Sequence, residues 1–319
     1  MTSSFRFPPL ALALLALLAA APLAGCGGDD GSSPYYPSGS GGADAGSGAG
    51  SPTGSGAGSP TGSGGGGGAP ALADHLLITE YMVSTDPAEF VEIWNPTGAE
   101  VDLTDHYLSD TGIYHRISNG AAFVPAGSPG LDFLVRFPAG TRLAAGATLT
   151  LAAHPDFEVT HGFCADFTLN SAPTPCGVGG MTPPMLAPDN GALGAGAGLL
   201  TNDGEMLVLF TWSGTIGEPV KDVDYVVWGI WPDTLGSSEV VNKTEVMGYQ
   251  PDTLPENQRP TVVPPSGQSS ERCALETTEL ATGGNGITGH DETSEPLDET
   301  FVPTATPTPG ALNPCLGAL

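Results

Sequence analysis

Residues 76–83, which read LLITEYMV, and residues 90–94, which read FVEIW, decide the fold class of this chain. The first stretch is apolar with β-branched residues. In the second, Val91 and Ile93 point to one face and the residues on either side of them to the other. This alternation has the period of a β-strand. Both stretches therefore predict strands.

Further short apolar stretches follow along the chain, separated by turn sequences. Residues 131–137 alternate between apolar and polar positions, whereas residues 206–210, MLVLF, are apolar throughout. An uninterrupted apolar strand is typical of a position buried on both faces of a sheet. Turn sequences such as Asn-Asp-Gly at 202–204 lie between these stretches. The pattern predicts an all-β fold, either a sandwich or a barrel.

A single folded domain is predicted over residues 71–319. Residues 269–282 are the best window for a helix, but they show no apolar stripe. The domain is longer than a minimal seven-strand sandwich needs. We therefore expect long loop insertions at 170–200 and 229–268.

Charge and composition exclude some classes of function. Among 319 residues there are 8 Lys and Arg against 35 Asp and Glu, a formal net charge of −27. A nucleic-acid-binding protein needs a basic surface, and so does a protein held electrostatically on anionic lipid. We expect no nucleic-acid partner. The 39% hydrophobic content still allows a sizeable core.

The N-terminus has the features of a signal peptide, predicted over residues 1–25. Arg6 precedes an uninterrupted Ala and Leu run at 10–21, which is short for a permanent membrane span. The sequence LAGC at 23–26 resembles a bacterial lipobox, which implies cleavage before Cys26 and acylation of its thiol. The alternative is an ordinary secretory signal with a chance cysteine. Gly27 favours the outer membrane over the inner, with exposure at the cell surface.

The acylated cysteine and a linker are predicted over residues 26–70. Gly, Ser, Pro, Ala and Thr dominate this stretch, and the octamer at 46–53 recurs at 54–61. Such a composition cannot bury a core, so we expect a flexible coil. Its typical end-to-end distance would be ~35–40 Å.

Apart from the acylated Cys26, the mature chain has four cysteines, an even number in an exported protein. Disulfides are their expected use, and four cysteines allow three pairings. Proximity along the sequence favours Cys164 with Cys176 and Cys273 with Cys315. A zinc site that includes His161 is the weaker alternative.

Several segments resemble the lamin tail domain family. The resemblance is dense at the start of the domain and sparser beyond it; it rests on LITEYM at 77–82, EFVEIWNPTG at 89–98, VDLT at 101–104, YLSD at 107–110, RFPAG at 136–140, NDGE at 202–205 and TPTPG at 306–310. The resemblance implies an immunoglobulin-like β-sandwich that serves as an interaction module and carries no catalytic residues.

Two details qualify the resemblance. Asp105 and His106 replace the Gly-aromatic pair usual before the third strand, which affects the expected turn geometry. Glu80, Glu92 and Asn95 match family positions, and we interpret them as structural residues that satisfy backbone amides.

No catalytic motif is evident. The chain has neither a His-Glu-x-x-His sequence nor a phosphate-binding loop, and none of its six histidines lies in a recognisable motif: His75, His106, His115, His154, His161 and His290. A non-enzymatic protein is the leading interpretation. The alternative is a hydrolase with its site on the loops 170–200 or 229–268.

The acidic stretch 290–299 is the best candidate for calcium, which prefers carboxylate and carbonyl oxygens. Its candidate ligands are Asp291, Glu292, Glu295 and Asp298. A solvated acidic loop is the favoured alternative, so no cofactor is firmly expected. A second oxygen cluster would form if a turn brought together Asp102, Asp105 and Asp110.

Tryptophans raise the possibility of a glycan ligand. Of the four, Trp94, Trp212 and Trp228 fit strands, whereas Trp231 precedes a proline in a loop and is expected to be exposed. Taken together, the leading hypothesis is a lipid-anchored cell-envelope module that binds an unidentified protein or glycan. Its alternatives are a calcium-dependent adhesin and the loop-based hydrolase.

Overall fold

A computed structural model describes residues 72–83, 89–125, 130–196 and 198–318. These residues lie in one compact unit, Gly64–Leu319. The predicted signal peptide, Cys26 and the linker lie outside the described residues. None of the described helices is long and apolar enough to cross a bilayer.

Two main sheets carry the fold. The first has six strands in the order β14-β13-β1-β2-β7-β8, with bounds Phe301–Thr304, Ser269–Arg272, Leu77–Met82, Phe90–Trp94, Thr148–Ala152 and Phe167–Thr168. The second has four strands in the order β12-β11-β4-β5, with bounds Lys221–Trp228, Glu205–Thr211, His106–Ser109 and Leu134–Arg136. The prediction of an all-β fold is confirmed.

The remaining elements are short. Two small antiparallel pairs join β3 to β6 and β9 to β10, with bounds Val101–Asp102, Arg142–Leu143, Pro175–Cys176 and Gly180–Met181. The α-helices are α1, Phe157–His161, and α2, Leu297–Thr300. Short 3-10 helices occupy Tyr114–Asn119, Pro255–Asn257, Glu292–Ser294 and Leu316–Ala318.

The core lies between the two sheets. Tyr81 of β1 stacks on Trp228 of β12, with ring centroids 4.7 Å apart. Every residue of β11 from Glu205 to Phe210 is buried, as its uninterrupted apolar sequence predicts. Burial of this many apolar side chains is the main source of stability.

The first sheet is also covered on its outer face, which the alternating pattern does not predict. Phe90 packs there with Phe157 of α1, and Trp94 packs with Leu316 near the C-terminus. All five residues of β2 are therefore buried.

The window 269–282, whose sequence shows no apolar stripe, begins with the strand β13 and contains no helix. Two other sequence-based expectations need correction or refinement. The strand expected at 131–137 covers only Leu134–Arg136. Trp231 is half-buried and packs against the core, instead of standing exposed.

The cysteines form two disulfides, Cys164 with Cys176 and Cys273 with Cys315. These are the pairs that sequence proximity favours. The second bond links the residue after β13 to the C-terminal segment.

Candidate metal centre

The four carboxylates predicted as calcium ligands do not share one environment. Asp291 accepts a hydrogen bond from the Thr293 hydroxyl at 2.6 Å. Glu295 pairs with the buried Arg272 at 2.6 Å. Asp298 lies on the surface and pairs with an arginine. Three of the four thus have other partners, whereas the fourth, Glu292, lies among metal-ligand side chains.

The second predicted oxygen cluster does not form either. Asp102 is on the surface, where it pairs with Arg142 at 3.1 Å. Asp110 is buried, with 2% of its surface exposed. Strand β4 runs between these two carboxylates and separates them.

Five other side chains, which we call the His/Glu cluster, converge beyond one end of the neighbouring strands β1 and β13: His75, Glu276, Glu279, His290 and Glu292. Strand pairing explains the convergence. β1 and β13 are antiparallel with Glu80 opposite Glu271. Extending this register past the strand ends places residue 276 opposite residue 75.

The ligand atoms are close together. His75 Nε2 lies 2.6 Å from Glu276 Oε2 and 3.9 Å from Glu292 Oε2. His290 Nδ1 contacts Glu279 Oε1. The cluster thus contains two triads that share Glu292, each with one imidazole and two carboxylates. In each triad the ligand atoms lie within 4.8 Å of one another.

Burial makes this arrangement costly without a cation. The side chain of Glu292 is 1% exposed, and neither of its oxygens has a hydrogen-bond partner. Buried polar groups are almost always paired, because an isolated buried charge costs several kcal/mol or more. Glu292 is therefore the strongest sign that the cluster serves a ligand.

This environment favours the protonated form of the carboxyl groups. Burial, and then repulsion from Glu276 and Glu279, raises the pKa of Glu292 well above its usual range. Burial, and then repulsion from Glu295, raises the pKa of Glu276 well above its usual range and that of Glu279 to about 8. A bound cation would displace these protons and stabilise the ionised carboxylates.

A second layer of contacts orients the cluster. Asp74 Oδ1 lies 2.7 Å from His75 Nδ1, which leaves Nε2 directed at the carboxylates. A carboxylate on the far nitrogen of a histidine is the usual support of a metal-ligating imidazole. Arg272 lies next to the cluster, 3.5 Å from Glu276, and also pairs with Asp224 and Glu295. One guanidinium thus pairs with three carboxylates, while Glu279 and Glu292 are outside its ion pairs.

The donor set indicates the class of metal. Imidazole and carboxylate together suit zinc and other first-row divalent ions, whereas calcium prefers oxygen ligands alone. Either triad would hold one divalent ion through an imidazole nitrogen and two carboxylate oxygens. Its burial leaves no evident position for a substrate, which is typical of a structural site.

Sequence reasoning missed this cluster for identifiable reasons. Glu276 and Glu279 lie in the window assessed only for helix formation. His75 and His290 are 215 positions apart and belong to no motif. The available signal was the strand register, which requires knowing that β1 pairs with β13.

The hydrolase alternative requires a histidine hydrogen-bonded to an acidic side chain in a pocket on the long loops. The described histidine of such a pocket, His115, makes no such bond. His115 lines a cavity with residues of the loop 229–268. Its Nδ1 is buried without a hydrogen-bond partner. Burial, with some repulsion from Lys243, lowers its pKa to about 4.

Of the family-matching residues, Glu80 and Glu92 lie in the first sheet and bind the C-terminal segment, whereas Asn95 directly follows β2. Glu80 accepts hydrogen bonds from Thr308 N at 3.0 Å and from the Thr308 hydroxyl at 2.9 Å. Glu92 accepts one from Gly310 N at 2.8 Å and another from Thr79. Asn95 donates to Leu143 O at 2.8 Å. Their contacts are those of structural residues.

Part of the chain is similar to a known protein family. The Lamin Tail Domain family model matches residues 69–226. Among solved structures, a DUF4876 family protein from Bacteroides thetaiotaomicron VPI-5482 has 14% sequence identity and a TM-score of 0.38, covering 72% of this chain and 70% of its own. No curated protein matches the chain. The His75 side of the cluster lies inside the family match, whereas its other four ligands lie beyond residue 226. Residues 69–226 thus match the lamin tail domain family and carry immunoglobulin-like strands.

Proposed function

We propose that this protein is a lipid-anchored module of the bacterial cell envelope, non-enzymatic, whose body is completed by a divalent transition-metal centre in the His/Glu cluster. The lipobox and the linker support the anchor, with Cys26 acylated and the outer membrane as its place. The β-sandwich would then be displayed to a protein or glycan ligand.

One observation carries the metal assignment: the buried, unpartnered carboxylate of Glu292 between two histidine–glutamate pairs. Protein groups alone leave both oxygens of this carboxylate without a hydrogen bond. A divalent ion supplies the missing charge and the missing coordination together.

The position of the cluster indicates what the ion would do. His75 lies five residues after the predicted linker ends at 70, and the other ligands come from the C-terminal part of the chain. An ion held by both would fasten the start of the domain to β13 and the segment after it. The module would thereby resist opening at the point where its tether begins.

Metal content and stability test this proposal. We expect the purified full chain to hold zinc after dialysis, measured by inductively coupled plasma mass spectrometry. Chelator should lower its Tm, and zinc should restore it. Glu292→Gln should weaken zinc binding by at least tenfold, because a neutral amide is a poor ligand. Glu256→Gln, on the exposed 3-10 turn, is the matched control.

Two outcomes would overturn the metal assignment. One is a chain that binds no zinc, cobalt or manganese and has the same Tm with and without chelator. The other is a Glu292→Gln variant that binds zinc as tightly as the unsubstituted protein.

The anchor is tested separately. Incorporation of radiolabelled palmitate into the chain, and its loss on Cys26→Ala, is the expected result. Label that persists in Cys26→Ala would reject acylation at this position. The metal results do not depend on this outcome, since Cys26 is remote in sequence from every ligand of the cluster.

A calcium-dependent adhesin is the second candidate function. The observation that favours it is a separate group of acidic side chains at one end of the second sheet, Asp110, Asp132 and Glu205.

A further inference from the structure

Three acidic side chains meet at one end of the second sheet. Asp110 directly follows β4, Asp132 lies two residues before β5, and Glu205 opens β11. These strands are neighbours, with Ser109 opposite both Leu134 and Val208. Antiparallel pairing therefore brings the end of β4 to the beginnings of the other two strands.

The three side chains line a cavity of about 500 Å³, which we call the acidic cavity. One oxygen from each lies within 4.8 Å of the others. Asp233 and Glu239 line the same cavity from the loop after β12. None of its described lining residues is a lysine, an arginine or a histidine.

The contacts of Asp110 point to a missing partner. Its Oδ1 accepts a hydrogen bond from Phe133 N at 2.8 Å, which fixes the carboxylate in place. Its Oδ2 is buried and has no hydrogen-bond partner. The side chain is 98% shielded, since only 2% of Asp110 is exposed. A fixed carboxylate with one free, buried oxygen facing two other acids is prepared for a cation.

Backbone geometry holds the loop against this cavity. A Cβ on Gly204 would lie 2.7 Å from Thr234 O, and one on Gly229 would lie 2.8 Å from the Gly204 Cα. Only glycine fits at both positions. This close approach holds the loop that carries Asp233 and Glu239 against the start of β11.

We propose that the acidic cavity is a calcium site, with Asp110, Asp132 and Glu205 as its protein ligands. The donors are oxygens only, and the cavity has room for the waters and carbonyls that complete six to eight ligands around calcium. The absence of imidazole among its lining residues sets it apart from the His/Glu cluster. This site is independent of the proposed transition-metal centre.

Calcium titration of the purified full chain, freed of metal by chelation, tests the site. We expect saturable binding by isothermal titration calorimetry. We also expect a Tm rise of about 5–10 °C at one hundred times Kd. Asp110→Asn and Glu205→Gln should each weaken binding at least tenfold. Glu245→Gln, on an exposed turn, should bind like the unsubstituted protein.

The variants should fold, because replacing one of three crowded carboxylates with an amide removes charge repulsion. In chelator, Asp110→Asn should therefore melt no lower than the unsubstituted protein, while losing the calcium-induced rise. Terbium, used in place of calcium, gives a second measurement through its luminescence. Trp228 lies opposite Glu205 in the β11–β12 pair and should transfer excitation energy to terbium bound in the acidic cavity.

The result that overturns the proposal is calcium binding that is undetectable at millimolar concentration, or that is unchanged by both cavity variants. Glu292→Gln separates the two sites. It should leave calcium binding intact, and loss of calcium binding in that variant would also count against a separate site.

Discussion

The His/Glu cluster and the acidic cavity gather carboxylates at the ends of two different sheets, and they handle the resulting charge differently. The His/Glu cluster is closed, contains two imidazoles and lies next to the buried guanidinium of Arg272. The acidic cavity opens to solvent, offers oxygens only and has no cation among its lining residues.

The difference shows that the burial of a cation site and its ligand atoms together determine the role for which the site is suited. A closed site must balance its charge with protein groups and a tightly held ion, because water cannot help. An open site can exchange ions and complete its coordination with water. The first is therefore suited to permanent stabilisation, and the second to a response to external calcium.

Removal of the buried guanidinium should give the largest effect. Arg272→Met leaves Asp224 and Glu295 without the partner that lies 3.0 and 2.6 Å from them. Breaking a buried ion pair on one side costs about 3–5 kcal/mol. We expect this loss in the free energy of unfolding, measured by urea denaturation of metal-free protein.

Arg259→Met provides the control. Arg259 is 45% exposed and pairs with Asp298 and Glu299 on the surface. Exposed pairs contribute about 0–1 kcal/mol. If Arg272→Met and Arg259→Met lost similar free energies of unfolding, the buried ion pairs of Arg272 would not stabilise the fold more than an exposed pair does.

A pH series should give the next effect. The pKa of Glu279 is raised to about 8, and those of Glu276 and Glu292 are raised well above their usual range. Carboxyls with raised pKa values stabilise the fold fully below their unfolded pKa of 4.5, and this stability is lost as pH rises through the folded pKa. The metal-free protein should therefore have a falling Tm between about pH 5 and pH 8.

Zinc should reverse this trend, because the ion binds ionised carboxylates and its affinity rises with pH. The zinc-induced gain in Tm should be larger at pH 8 than at pH 5. Glu292→Gln supplies the comparison, since it removes one of the raised carboxyls. A zinc effect that shrank as pH increased would contradict coordination by this cluster.

Local sequence was sufficient for the strands that lie close together in the chain. β1 and β2 are apolar, adjacent and separated by a short connection, so their alternation and their turn residues predict them directly. β11 is recognisable for the same reason, because its continuous apolar sequence matches burial on both faces.

The C-terminal strands and the metal ligands required long-range information. β13 reads Ser-Ser-Glu-Arg, and all four residues are buried. Its polar groups are satisfied by distant partners, such as Ser269 on Glu80 and Arg272 on Asp224. The hydrophobic pattern of a short stretch does not show that polar residues are buried against distant partners. The sequence therefore predicts neither the strand β13 nor a metal-ligand role for residues 276 and 279 beyond it.

The smallest expected effect is on zinc affinity and comes from substitution of Asp74, which contacts His75 from outside the His/Glu cluster. Asp74 holds His75 Nδ1 at 2.7 Å although 55% of its own side chain is exposed. Asp74→Asn keeps the shape but removes the charge that orients the imidazole. Loss of such outer partners weakens metal affinity by about 10–100-fold. We expect a zinc Kd higher by that factor, with calcium affinity unchanged, because no carboxylate–histidine pair lies in the acidic cavity. A zinc affinity equal to that of the unsubstituted protein would mean that His75 is oriented by its strand and not by Asp74.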